Sequence, residues 1–193
     1  MELKLADTPG FGGADAFRGA PLSDDWYVDL VTHADPRGRL TEIYRKSRLD
    51  APPAVQWNFV HSTANAMRGV HVHANHHDYL VVLEGEMVLG LHDIRPRSPS
   101  RGASALVRLS GARLSCVLIP PGVAHGFYAP APYRMVYGLT EEWDGSDEMG
   151  CRWDDPALPI DWPSEIVDPS LSHRDVHASS YARMVADLED ALA

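Results

Sequence analysis

The chain is short of several features that would narrow its role at once. Among 193 residues it has two cysteines, Cys116 and Cys151. These are too few for a disulfide scaffold, so both are expected as packed or surface thiols in a reducing cytoplasm. Positive charge is scarce: 17 Lys and Arg stand against 27 Asp and Glu, giving a net charge of -10. That balance argues against non-specific binding to nucleic acid or to an anionic membrane. It leaves room for an anionic small substrate, because a few local arginines can hold a phosphate inside an acidic protein. No stretch approaches the roughly 20 apolar residues of a membrane span. The opening MELKLADTPG has no long apolar run, so no signal peptide is expected. Repeats and coiled-coil heptads are missing too. The chain reads as one domain over 1–193, large enough to bury most of its unfolded surface.

What is present is a period of two. Trp26, Val28 and Leu30 alternate with Tyr27, Asp29 and Val31, and Val55, Trp57 and Phe59 share a face opposite Gln56 and Asn58. His71 and His73 fall on one face, with Val70 and Val72 on the other. Tyr79 to Ile94 is a longer β-rich run with a turn at Glu84-Gly85-Glu86. Short strands are expected at 105–109, 114–119, 126–129 and 134–139, each bounded by Gly, Pro or Ser. Strands of this length and spacing predict an all-β sandwich or barrel over about 25–145. Polar residues alternating with apolar ones on several strands predict an interior that holds a ligand. Residues 95–101 read as a loop. An irregular Pro-rich stretch and a C-terminal α-helix fill 146–193. In the helix Tyr181, Met184, Val185, Leu188 and Leu192 form one stripe, with Ser179 or Ser180 as its cap. That stripe predicts packing on the barrel's outside or on a partner subunit.

Four of ten histidines, His71, His73, His76 and His77, fall within seven residues, and His125 follows in Pro120-Pro121-Gly122-Val123-Ala124-His125. Neutral imidazoles with a carboxylate can hold a divalent first-row metal ion, and His-x-His on a strand aims both rings to one side. His71, His73, Asp78 and Gly85, followed by Pro120, Gly122 and His125, have spacings that resemble the two metal-binding motifs of the cupin superfamily. Those motifs usually carry Glu where this chain has Asp78. From spacing alone, a metal site of His71, His73, Asp78 and His125 stands beside a metal-free, polar barrel lining.

A second resemblance covers about residues 35 to 175. Its segments are Asp35-Pro36-Arg37-Gly38 with Glu42, Gln56-Trp57-Asn58, Arg68-Gly69-Val70-His71, and Asp93-Ile94-Arg95 with Ser98-Pro99. Further on come Ile119 to Phe127, Tyr137 with Thr140, Trp153 to Pro156, Ile160 to Pro163, and Leu171-Ser172-His173-Arg174-Asp175. In this order they resemble the dTDP-4-dehydrorhamnose 3,5-epimerase family, itself of the cupin superfamily. The resemblance implies a cupin-type double-stranded β-helix, or jelly-roll barrel, in a cytoplasmic homodimer whose architecture allows an edge strand to cross to the partner subunit. It implies an isomerase of deoxysugar biosynthesis that acts without a cofactor on a nucleotide-linked 4-keto-6-deoxyhexose, inverting carbons beside the ketone.

Such a carbon acid needs a base, an acid on the opposite face and stabilisation of the enolate oxygen. His71 matches the family's base, Asp175 the acid that pairs with it, and Tyr137 the tyrosine that returns a proton. Arg37 and Arg68 match positions that hold the nucleotide and diphosphate, where guanidinium groups suit phosphate oxygens. Glu42, Gln56 and Asn58 match polar contacts to the nucleotide, His125 lines the sugar site, and Trp143 packs beside the substrate.

Asp78 departs from this pattern, standing where the family keeps a lysine that resembles an electrophile for the enolate. A carboxylate there would repel an enolate by several kcal/mol in a poorly solvated site. His73 likewise replaces a residue that is usually a neutral amide. Three readings follow: an epimerase of one or two centres in which His76 or His77 compensates Asp78, a metal-dependent cupin enzyme, and a non-catalytic nucleotide-sugar-binding relative. Retention of His71, Tyr137 and Asp175 together argues against the last, since a binder needs no acid/base pair.

Overall fold

The period of two turns into antiparallel sheets. The computed structural model describes residues 17–19, 27–48 and 51–193, so Trp26 lies outside the described residues. In chain order the strands are β1 (Phe17–Gly19), β2 (Tyr27–Asp29), β3 (Thr32–Asp35), β4 (Gly38–Thr41), β5 (Gln56–Ser62), β6 (Met67–Val72) and β7 (Asp78–Glu84). They continue as β8 (Glu86–Asp93), β9 (Ser104–Ser110), β10 (Ser115–Ile119), β11 (Val123–Tyr128), β12 (Tyr133–Leu139) and β13 (Met149–Gly150). Helices α1 (His173–Val176) and α2 (Tyr181–Ala191) follow.

One sheet has the order β1-β9-β8-β11-β6-β13, and a second has the order β2-β10-β7-β12-β5. Together they form the jelly-roll barrel expected from the sequence. Strands β3 and β4 make a separate hairpin. The expected run from Tyr79 to Ile94 resolves into β7 and β8, broken at Gly85. That glycine has φ +75°, and a Cβ there would meet the Pro132 carbonyl oxygen at 2.2 Å. The position therefore admits only glycine, for steric reasons local to the turn.

Alternation divides the apolar residues into three clusters. Between the sheets lie Leu80, Val82, Met87, Leu89, Leu91, Val107, Leu109, Val117 and Met135, all buried. Outside the six-stranded sheet, Met67, Val70, Val72, Ala124 and Tyr128 pack against Leu158, Ile160, Met184 and Leu188 from the irregular segment and α2. Outside the five-stranded sheet, Tyr79, Val81 and Cys116 pack with Leu30, Ile43 and Tyr44. Each fully buried Leu or Val contributes roughly 1.5–3 kcal/mol.

The C-terminal helix forms where the stripe predicts it. Ser180 is its N-cap and accepts from the Arg183 backbone N–H, while Met184 and Leu188 are the residues buried. Its Tyr181 hydroxyl lies 2.8 Å from His92 Nε2. The helix packs on the barrel of its own chain, beside β13. No helix among the described residues is long and apolar enough to cross a membrane.

Candidate active site

Polar residues gather at one end of the space between the sheets, where the apolar packing stops. On β6, Met67, Val70 and Val72 face outward, so Arg68 and His71 face in. On β12 the inward residues include Met135, Tyr137 and Leu139, and on β5 they are Gln56, Asn58 and Val60. With His125 from β11 and Asp78 from β7 they line a cavity of about 360 Å³. Gly69, with φ +99°, brings β6 so close to β11 that a Cβ would sit 2.8 Å from the His125 carbonyl oxygen. In that register His71 and His125 are direct neighbours.

His71 Nε2 lies 2.8 Å from Asp175 Oδ1. The other oxygen of Asp175 accepts from the Ser172 hydroxyl at 2.7 Å, and Ser172 also caps α1 by accepting from the Asp175 backbone N–H. Burial pushes the Asp175 carboxyl upward, but the His71 and Ser172 hydrogen bonds overcome it and hold the group below its ordinary value. An ionised Asp175 accepts, so His71 donates from Nε2 and keeps Nδ1 as its basic nitrogen. The cap is Ser172, and Asp175 is free to face the imidazole.

His71 belongs to the six-stranded sheet and Tyr137 to the five-stranded one, so the two approach the cavity from facing walls. Burial raises the Tyr137 phenol, and the carboxylates of Asp78 and Glu148 raise it further. Gln56 Nε2 donates to Asn58 Oδ1 at 3.1 Å, and Gln56 Oε1 accepts from the Trp143 backbone N–H at 2.9 Å. Arg68 Nε donates to Ser62 Oγ at 3.1 Å. Gln56, Asn58, Arg68, His71, His125, Tyr137, Trp143 and Asp175 thus share one cavity, as the resemblance implied.

Arg37 and Glu42 do not reach it within this chain. Arg37 sits in the turn of the β3–β4 hairpin, side chain 90% exposed, and pairs with Asp35 at 2.6 Å. Glu42 pairs with Arg45 just after the hairpin. Neither lines the cavity.

The metal-like spacing also regroups. His71 turns to Asp175, whereas His73, His76 and Asp78 offer ligand atoms within 4.8 Å of one another. His125 Nε2 lies 3.7 Å from Asp78 Oδ2. His76 thus replaces His71 in the cluster, because the loop after β6 folds His76 back over His73, with ring centroids 4.1 Å apart. Burial raises the Asp78 carboxyl to about 8, with Glu148 and Asp147 adding to the rise. Burial also lowers His73 to about 4 and His125 well below the ordinary imidazole value.

Sequence reasoning missed Asp147, Glu148 and Arg174. Glu148 and Arg174 line the cavity and form an ion pair with each other. Burial pushes the Glu148 carboxyl up, but the Trp143 indole N–H, 2.8 Å away, together with His73 and Arg174, brings it below its ordinary value. Asp147 accepts from the backbone N–H groups of Ala74 and Asn75 at 2.7 and 2.8 Å, fixing the histidine loop. Asp147 lies 74 positions after His73, and no local spacing marks it.

Residues 20–183 match the family model described as dTDP-4-dehydrorhamnose 3,5-epimerase. The chain is 33% identical over 149 residues to an enzyme of that description from Methanothermobacter thermautotrophicus, covering 73% of this chain and 80% of the relative. It is 30% identical over 173 residues to a dTDP-4-dehydro-6-deoxyglucose 3-epimerase from a Streptomyces species, covering 84% of this chain and 88% of that one. Among solved structures it is similar to the dTDP-6-deoxy-D-glucose-3,5-epimerase of Legionella pneumophila in complex with dTDP-4-keto-L-rhamnose. That likeness has TM-score 0.76 at 30% identity and covers 89% and 96% of the two chains.

Proposed function

Because the chain belongs to the dTDP-4-dehydrorhamnose 3,5-epimerase family, we propose that it is a nucleotide-sugar epimerase acting on a dTDP-4-keto-6-deoxyhexose, inverting C3, C5 or both. The observation that carries the reading is the His71–Asp175 pair at 2.8 Å on the wall of a cavity whose facing wall presents Tyr137. Inversion needs a proton removed from one side of the ring and returned from the other. His71 Nδ1 takes the proton beside the ketone, and Asp175 stabilises the imidazolium that forms. Tyr137 delivers a proton from across the cavity. Arg68 binds phosphate oxygens, with Gln56, Asn58 and Trp143 around the nucleotide and His125 beside the sugar. A non-catalytic binder would have no use for a hydrogen-bonded imidazole–carboxylate pair opposite a phenol.

The working unit is a homodimer in the cytoplasm. Three features support a second copy on the β5 side. Strand β5 is the edge of its sheet. Its outer face exposes Trp57 at 41% and Phe59 at 63%. The hairpin that carries Arg37 does not line the cavity of its own chain, and Arg37 is exposed there. An exposed apolar edge strand invites pairing, and the hairpin of one subunit supplies Arg37 and Glu42 to its partner's cavity.

The test is solvent exchange. Incubated in deuterium oxide with dTDP-4-keto-6-deoxyglucose, the protein is expected to place deuterium at C3, C5 or both, as read by NMR. A folded protein that binds the nucleotide sugar but exchanges neither position would overturn the proposal.

A further inference from the structure

Four acceptor atoms converge at the inner end of the cavity. His73 Nδ1 lies 2.8 Å from the Asp147 carbonyl oxygen, and His125 Nδ1 lies 3.1 Å from the Val123 carbonyl oxygen. A carbonyl only accepts, so both rings carry their proton on Nδ1 and present a lone pair at Nε2. His76 Nδ1 lies 3.2 Å from the Asp147 carboxylate, the charge that favours a proton on that nitrogen. The three Nε2 atoms stand 3.7, 4.0 and 3.7 Å from one atom, Asp78 Oδ2, in the order His73, His76, His125. Asp78 is buried at 6% exposure, and Oδ2 has no hydrogen-bond partner among the described residues.

Lone pairs facing a buried carboxylate oxygen repel one another unless positive charge lies between them. A proton on Asp78 could serve at most one of the three rings, across a gap longer than a hydrogen bond. A cation can serve all four groups. We propose that His73, His76, Asp78 and His125 bind one divalent first-row transition-metal ion. Ligands about 2.1 Å from a tetrahedral ion lie about 3.4 Å apart, a few tenths of an ångström less than the three separations from Asp78 Oδ2. His73, His76 and Asp78 already lie within 4.8 Å of one another, and the imidazoles, His125 most, would close further around the ion. Imidazole-rich donors favour transition metals over Mg²⁺ or Ca²⁺. Carbonyl partners on the Nδ1–H of His73 and His125, and the Asp147 carboxylate beside His76 Nδ1, are the kind of supports that orient ligating histidines. All four ligands line the cavity, which gives an ion its entry path. His71 stands outside the set, since its carboxylate neighbour is Asp175, whereas Asp78 has His73, His76 and His125 around it.

The ligand set does not depend on the reaction assigned above. Only the consequence rests on that reading: the ion would supply positive charge inside the sugar cavity, where the family lysine is replaced by Asp78.

The experiment uses the full chain stripped with a chelator and titrated with cobalt(II) chloride, followed by visible absorption and calorimetry. One equivalent per chain is expected, with the visible bands of imidazole-ligated cobalt, and no displacement by excess Mg²⁺. His76→Gln and Asp78→Asn should each weaken binding on the order of 100-fold or more, and Asp147→Asn about 10-fold to 100-fold. His71→Asn should bind cobalt as the unaltered protein does. Three results would each overturn the proposal: no uptake by the folded, stripped protein, undiminished uptake by Asp78→Asn, or loss of uptake in His71→Asn. The first and third hold even if a ligand variant fails to fold. None of these measurements involves sugar or turnover, so a missing metal would leave the epimerase reading standing, and missing exchange would leave the metal site standing.

Discussion

His71 Nε2 and Asp175 Oδ1 meet at 2.8 Å across 104 positions of chain, because α1 packs against β6 with Ser172 capping it. This contact assigns the basic nitrogen of His71 and ties its orientation to one carboxylate. Asp175→Asn keeps the size but removes the charge that supports the imidazolium. Deuterium exchange into the keto sugar should fall about 10²- to 10⁴-fold, with KM nearly unchanged, and His71→Ala should abolish it. A drop in binding with exchange intact would show that the pair only holds the fold.

Tyr137 faces His71 from the opposite sheet, so abstraction and return can be separated. Tyr137→Phe is expected to retain proton abstraction, seen as exchange, while inversion slows by a factor on the order of 100. NMR of the product distinguishes deuterium gained with retention from deuterium gained with inversion. Equal loss of both would remove Tyr137 from the role of returning acid.

Arg68 is a cavity cation anchored to Ser62. If it binds the diphosphate, Arg68→Ala should raise KM for the nucleotide sugar about 10- to 100-fold, the worth of one or two charge-assisted hydrogen bonds. The salt dependence of KM should flatten as well. Titration of dTDP alone provides the check, since an unchanged affinity would place the phosphates elsewhere.

Asp93 gives a prediction about stability. Its carboxylate is fully buried and accepts from Arg95, Ser98 and Ser100 at 2.6–3.0 Å. Burial pushes the group up, but those bonds prevail and lower it to about 2. The folded state therefore releases this proton more readily than the unfolded chain. Its stabilisation, about 2 kcal/mol, is present above the unfolded value near 3.8 and is lost as pH falls toward 2. Urea midpoints should show Asp93→Asn much weaker than the unaltered chain at about pH 5 and close to it at about pH 2.

For the homodimer, light scattering should report two chains. Phe59→Asp, alone or with Trp57→Asp, places charge on the exposed face of β5 and should shift the protein to monomer. If Arg37 and Glu42 complete the partner's cavity, the monomer should lose activity while keeping the His71–Asp175 pair. A monomeric starting protein would end that account.

Much of the barrel was legible because strand burial is written into the sequence with a period of two. Val70 and Val72 against His71, and the run from Tyr79 to Ile94, resolve into the expected strands, and Ser180 caps the helix the stripe predicts. On β5 the alternation is reversed in sense: polar Gln56 and Asn58 face inward while Trp57 and Phe59 face solvent. Period alone shows that two faces differ, and only the neighbouring strand shows which face is inside. The hairpin residues Arg37 and Glu42 carry no local sign that they lie outside the cavity of their own chain, since the path of a hairpin leaves no periodicity.

By itself the sequence determined the barrel, the family and the presence of an imidazole, a phenol and a histidine cluster on inward faces, because side-chain alternation and residue chemistry are local. Tertiary structure decided how those groups pair. His71 and His73 point from the same end of β6 and look equivalent as sequence. Asp175 on α1 claims the Nε2 of His71, and Asp147 from the loop before β13 claims the Nδ1 of His73. A ring nitrogen's role follows from what its partner nitrogen donates to, and both partners come from distant chain. That difference divides one run of histidines into one ring paired with Asp175 and others gathered around Asp78.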